Sequence, residues 1–98
     1  MVGSKRETAF YVVAYDIPSD RRRTKVHKIL SGFGKWTQFS VFECYLTPKE
    51  ILTLRHKLDK HLKAEEDRVR FYYICESCLA KVETVGAEKP QEEMVYIV

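Results

Sequence analysis

The chain has 98 residues, 45% of them hydrophobic, which is material for one compact domain and excludes an enzyme built around a cleft between two domains. Charged residues make up 32% of the sequence, and its apolar runs fall far short of the ~20 residues needed to cross a bilayer, so a membrane-spanning protein is excluded as well. The net charge of +3 is too mild to indicate nucleic acid by itself, yet residues 1–40 carry an excess of five positive charges and residues 76–98 an excess of three negative ones.

In chain order, Ala9 to Tyr15 is a β-branched and aromatic run halted by Asp16-Ile17-Pro18-Ser19-Asp20, the pattern of a first strand. Pro18 biases Ile17 away from helical backbone, and Ser19 or Asp20 can cap a helix that begins near Arg21. Val26, Ile29, Leu30 and Phe33 then give that helix one apolar stripe, and Gly32 and Gly34 supply its stop. From Lys35 to Leu46 the sequence is rich in strand formers without helical periodicity, which predicts a short strand, a tight turn and a longer strand, or one bent strand. Thr47-Pro48-Lys49-Glu50 reads as a capped helix start with a capping box, followed by Ile51, Leu54, Leu58 and Leu62 on one face and ended by polar residues 64–67. Arg68 to Cys75 is a further strand. Ala80 to Val85 and Met94 to Val98 are expected to add short strands around a link bearing Gly and Pro.

The predicted order is β-α-β-β-α-β with an extra C-terminal strand, a ferredoxin-like α+β fold in a single domain over residues 1–98. Both helices of that fold lie on one face of the sheet, and both faces of the first strand are apolar or aromatic: Phe10, Val12 and Ala14 against Tyr11, Val13 and Tyr15. A sheet without a polar face needs a cover, and a symmetric copy is the most economical one, so the pattern predicts a homodimer.

Few side chains are arranged for chemistry. Cys75-Glu76-Ser77-Cys78 is a C-x-x-C, but a structural zinc needs four ligands and the chain offers only Cys44 and three scattered histidines besides. The redox form of the motif precedes a helix, whereas this one follows a predicted strand, so ordinary thiols are the expectation. With three cysteines and no apolar stretch of signal-peptide length near Met1, the expected compartment is a reducing cytoplasm. His27, His56 and His61 fall on the two helices and are expected at the surface. Asp16 is placed differently: a carboxylate at a strand end, ahead of a basic helix start, suits a hard cation where phosphate oxygens also gather. It also suits turn-making or helix capping. Arg22, Arg23, Lys25 and Lys28 form a basic run that reads equally as a phosphate-binding surface and as a solvated helix face, with Arg22 and Arg23 falling toward the apolar side at the helix start.

Taken together, Tyr15-Asp16-Ile17, Arg22-Arg23-Thr24-Lys25-Val26 and Gln38-Phe39-Ser40-Val41-Phe42-Glu43-Cys44 resemble the CRISPR-associated protein two (Cas-two) family. The resemblance implies a homodimer in which residues 86–98 form a link and a C-terminal strand that packs on the partner protomer. It further implies a place in CRISPR adaptation, with the dimer bridging the Cas-one integrase and supporting the duplex DNA inserted as a spacer. Members are also described as metal-dependent nucleases acting on RNA or double-stranded DNA. By position, Asp16 then becomes the catalytic metal ligand for Mg2+ or another divalent cation, Tyr15 flanks it, Arg23 and Lys25 match basic nucleic-acid positions, and Phe42 matches the motif aromatic. One departure is Trp36, which stands where many relatives carry an arginine two residues before the glutamine.

Two functional classes follow. An endonuclease would use paired Asp16 carboxylates and a divalent ion, with Arg22, Arg23 and Lys25 on the flanking phosphates; a scaffold would use the same cations without chemistry. An RNA-recognition module shares the element order but should carry a glycine in an aromatic third-strand signature, and residues 39–45 have none.

Overall fold

The computed structural model describes residues 7–86. Seven elements follow one another: β1 (Ala9–Asp16), α1 (Asp20–Ser31), β2 (Lys35–Gln38), β3 (Val41–Leu46), α2 (Pro48–Asp59), β4 (Arg68–Ile74) and α3 (Glu76–Leu79). The strands form one antiparallel sheet in the order β2-β3-β1-β4, the ferredoxin-like arrangement expected from the sequence. β1 is hydrogen-bonded on both sides, pairing Val13 with Phe42 of β3 and Phe71 of β4. Its side chains alternate between the two faces of the sheet. Tyr11, Val13 and Tyr15 therefore share the face that α1 and α2 cover, where Val26, Leu30, Leu54 and Leu58 close a core around Phe42, Cys44 and Leu46.

The helix starts obey local chemistry. Ser19 caps α1, its hydroxyl accepting from the Arg22 N–H at 3.2 Å. Thr47 caps α2, accepting from the Glu50 N–H at 3.1 Å while the Glu50 carboxylate takes the Thr47 N–H at 2.9 Å, with Pro48 in the first turn. Caps of this kind are each worth about 1 kcal/mol.

The two glycines after α1 act for different reasons. Gly32 is the C-cap but has ordinary right-handed backbone, with φ −83°. Gly34 is needed for space: a Cβ there would fall on the Cys44 sulfur and 2.6 Å from the Glu43 carbonyl oxygen.

Three expectations are corrected. α2 ends at Asp59 rather than reaching residues 64–67, and Leu62 packs on the core from the turn that follows. Residues 80–85 form no strand; β4 instead runs into the short helix α3, whose turn is closed by the Leu79 N–H on the Cys75 carbonyl at 2.8 Å. His27 is half-buried rather than at the surface. The expected strand Met94–Val98 and the link before it lie outside the described residues.

Candidate nucleic-acid interface

Asp16 ends β1 on the face that the helices do not cover, directly across from Arg68 of β4. Its side chain is exposed and has no hydrogen bond or ion pair among the described residues. The capping role open to it from sequence is taken by Ser19. On the same face the centre of the sheet is apolar, with Phe10 buried against the Tyr45 ring at 4.9 Å and Val12 and Ala14 half-buried behind it. Tyr45 and Tyr72 stand exposed on either side at 56% and 46%. Neither α1 nor α2 covers this face.

The basic run of α1 divides. Arg22 turns to the loop before β4, where its Nε donates to Asp67 Oδ2 at 2.7 Å and its Nη2 to Asp67 Oδ1 at 3.0 Å and Glu66 Oε1 at 2.9 Å. Asp67 also accepts the Lys63 N–H at 2.8 Å, so the pair clamps α1 to the entrance of β4. Arg23 donates to the Ile17 carbonyl at 2.7 Å and pairs with Asp20, fastening the β1–α1 turn. Arg21, Lys25 and Lys28 are exposed and have no partner among the described residues. Their spacing of four and three residues puts them on one helical stripe about 10 Å long.

The Arg22 guanidinium holds the Asp67 carboxyl below the usual carboxylate range, against the opposing effect of burial. A group depressed in the folded state stabilises above its unfolded value, about 3.9 for aspartate, and that contribution disappears as pH falls through the folded value. Asp67→Asn should therefore lower stability at neutral pH and remove part of the loss that wild type shows on acidification toward about pH 3. Denaturant midpoints for both proteins at the two pH values measure it. Parallel acid profiles would mean that the clamp contributes nothing.

Tyr15 and Phe42 lie on the other side of the sheet from Asp16. Phe42 is fully buried, and the Tyr15 hydroxyl shares a 3.0 Å hydrogen bond with His27 Nδ1. Burial raises the Tyr15 phenol, with the Ser40 hydrogen bond and the Arg23 charge acting in the opposite direction. His27 packs edge-on to Phe42 at 5.1 Å and Trp36 at 6.3 Å. Tyr15, Arg23, Thr24, His27, Phe39 and Ser40 line a shallow groove of about 500 Å³. At its rim the β2–β3 turn holds Phe39 in left-handed backbone, φ 41°, and 84% exposed, with the Trp36 indole N–H donating to its carbonyl at 2.7 Å. His27 is expected at the surface from sequence; its place directly after the buried Val26 is the local signal for the half-buried position it takes.

Among the described residues, no three His, Cys, Asp or Glu side chains gather to hold a metal ion. A hard cation such as Mg2+ takes several oxygen ligands. Among the described residues Asp16 has no second such side chain beside it to complete a set of ligands.

The family described as CRISPR associated protein Cas2 matches residues 9–82. The chain belongs to the Cas2 family. A relative from Chloroflexus aurantiacus, named CRISPR-associated endoribonuclease Cas2 1, is 42% identical over 92 residues, covering 91% of this chain and 99% of its own. The crystal structure of Streptococcus pyogenes Cas2 at pH 6.5 superposes with a TM-score of 0.69 at 32% identity, covering 79% of this chain and 99% of that one. A chain of a partial Cas6-RT-Cas1–Cas2 complex matches with a TM-score of 0.69 at 26% identity, over 84% of this chain and 94% of its own. These Cas2 matches embrace both the sheet with its open face and the helical side, and no helix among the described residues is long and apolar enough to cross a membrane.

Proposed function

We propose that this Cas2 chain acts as a homodimer in the cytoplasm during CRISPR adaptation, holding duplex DNA by its backbone for the Cas1 integrase. In the same reading the dimer hydrolyses phosphodiester bonds in RNA or double-stranded DNA with a divalent cation, Mg2+ or a similar ion. The observation that carries it is Asp16: exposed, unpartnered among the described residues, and set at the edge of an apolar sheet face that a second copy would cover. A two-fold axis near the end of β1 would bring two Asp16 carboxylates together and supply a second ligand beyond those of the described residues of one protomer. When bound there, a divalent ion polarises the phosphate and lowers the pKa of its water. The endoribonuclease name of the Chloroflexus relative supports the cleavage, and the Cas1–Cas2 complex supports the partner.

Activity then depends on association. Cleavage per protomer should fall on dilution through the dimer dissociation range measured by sedimentation, and recover on concentration. Full activity in a sedimenting monomer would overturn it.

The phosphate contacts are assigned to the exposed stripe. Arg22 and Arg23 would have to break their pairs first, which leaves Lys25 and Lys28, together with Arg21, as the cations ready for phosphate. Each phosphate contact adds about 0.9 to the log–log salt slope for duplex DNA. Replacing Lys25 and Lys28 with Ala should flatten that slope by up to about 1.8 per protomer and weaken all duplex sequences alike. An unaltered slope would make the stripe a solvated helix face.

A further inference from the structure

β4 leads into Cys75, the N-cap of α3, with φ −71° and ψ 166°. Thr47 opens α2 with nearly the same backbone, φ −76° and ψ 165°, and Ser19 opens α1 at φ −80° and ψ 124°. From this conformation a cap side chain folds over the first turn toward the residue three positions on. In α2 the two side chains reach past each other to close the capping box between Thr47 and Glu50. In α3 the corresponding positions are Cys75 and Cys78; no cap hydrogen bond forms there, but the same extended cap backbone sets two thiols at the cap and third positions of a single turn. A disulfide requires Cβ atoms about 3.5–4.5 Å apart, which places the demand on the first turn of α3 alone.

The pair is accessible and asymmetric. Cys75 is half-buried and Cys78 exposed, and the Ser77 hydroxyl lies 3.4 Å from the Cys75 sulfur. The Ser77 hydroxyl, followed by the N–H and thiol of Cys78, draws Cys75 down to about 7, and the same interaction raises Cys78. Cys44 makes the contrast: it is fully buried, and burial with the neighbouring Glu43 charge pushes it up to about 12. The motif follows a strand, as its sequence predicts, and it also opens a helical turn, because β4 and α3 are joined through Cys75 itself.

We propose that Cys75 and Cys78 form a reversible dithiol–disulfide site that exchanges with low-molecular-weight disulfides of the glutathione class. The Cys75 thiolate attacks one sulfur of the external disulfide, forming a mixed disulfide and releasing one thiolate, which takes up a proton. The Cys78 thiol gives up its proton and attacks the Cys75 sulfur, forming the intrachain bond and expelling the second small thiol. Two protein thiols are oxidised, one external disulfide is reduced to two thiols, and excess thiol reverses both steps. The oxidised ring would fix α3, which packs on β1, at the point where the chain leaves the edge strand.

The full-length chain can be equilibrated with mixtures of reduced and oxidised glutathione, acid-quenched, and read by intact mass. Wild type should pass to a species lighter by two hydrogen atoms, with Cys75 and Cys78 in one cross-linked peptide, and return on addition of thiol. Cys78→Ser should instead accumulate one glutathione on Cys75, and Cys75→Ser should react roughly tenfold more slowly near neutral pH. Persistent mixed disulfides in wild type would overturn the proposal, as would loss of the two hydrogens in either single variant, which would assign the bond to Cys44.

Discussion

Asp16→Asn is expected to abolish divalent-metal-dependent cleavage while leaving the fold and duplex binding in place. A neutral amide is a poor ligand for a hard cation, and in a symmetric pair one substitution removes both carboxylates. The loss should exceed the ~10–100-fold that removing an outer-shell partner costs a metal site. Folding should survive because the side chain is exposed, caps no helix and has no partner among the described residues. Cleavage of labelled RNA and duplex DNA with and without Mg2+, alongside a thermal melt, tests both halves. Undiminished cleavage would place the chemistry at another site or in a contaminant. Cleavage lost together with the melting transition would give Asp16 a structural role instead.

The largest effect on stability is expected at Gly34. An alanine Cβ there has no free volume, because it meets the Cys44 sulfur and the backbone oxygen of Glu43, and backbone cannot swing aside as a side-chain end can. The chain between α1 and β2 is also pinned by the Gly34 N–H on the Leu30 carbonyl at 3.0 Å. Overpacking of this kind costs about 1–3 kcal/mol, a large share of the ~5–15 kcal/mol that holds a small domain together. In a domain under 100 residues each kcal/mol moves the melting temperature by roughly 4–8 °C. Gly32→Ala is the control: its Cβ would lie 3.4 Å from the Ile29 carbonyl oxygen, and its φ of −83° suits alanine. Gly34→Ala should therefore melt well below wild type and Gly32→Ala close to it; equal melting of the two variants would refute the close approach.

How far the sequence could be read depended on the range of the interaction involved. The start of α2 was legible to the residue, since Thr47, Pro48 and Glu50 act within one turn. The four strands of the sheet were legible from their β-branched and aromatic runs, and the family from the combination around Asp16 and Gln38 to Cys44, which the match over residues 9–82 bears out. Arg22 was not legible as a clamp. Its partner Asp67 is 45 positions away, and nothing local separates it from Lys25, which faces water on the same helix. The hydrogen bond between Tyr15 and His27 is hidden for the same reason.

By itself, then, the amino-acid sequence determined the element types from β1 to β4, the ferredoxin-like order, the capped starts of α1 and α2 and the position of Asp16 at a strand end. Those depend on backbone preference, capping and periodicity, which are properties of neighbours in the chain. Only the tertiary structure decided which cations of α1 are already paired, that Gly34 serves a close approach rather than a helix stop, and that residues 76–79 coil instead of extending toward a strand at 80–85. Each of these turns on what a distant segment places beside the residue: the loop before β4, the sulfur of Cys44 on β3, and the packing of α3 against β1.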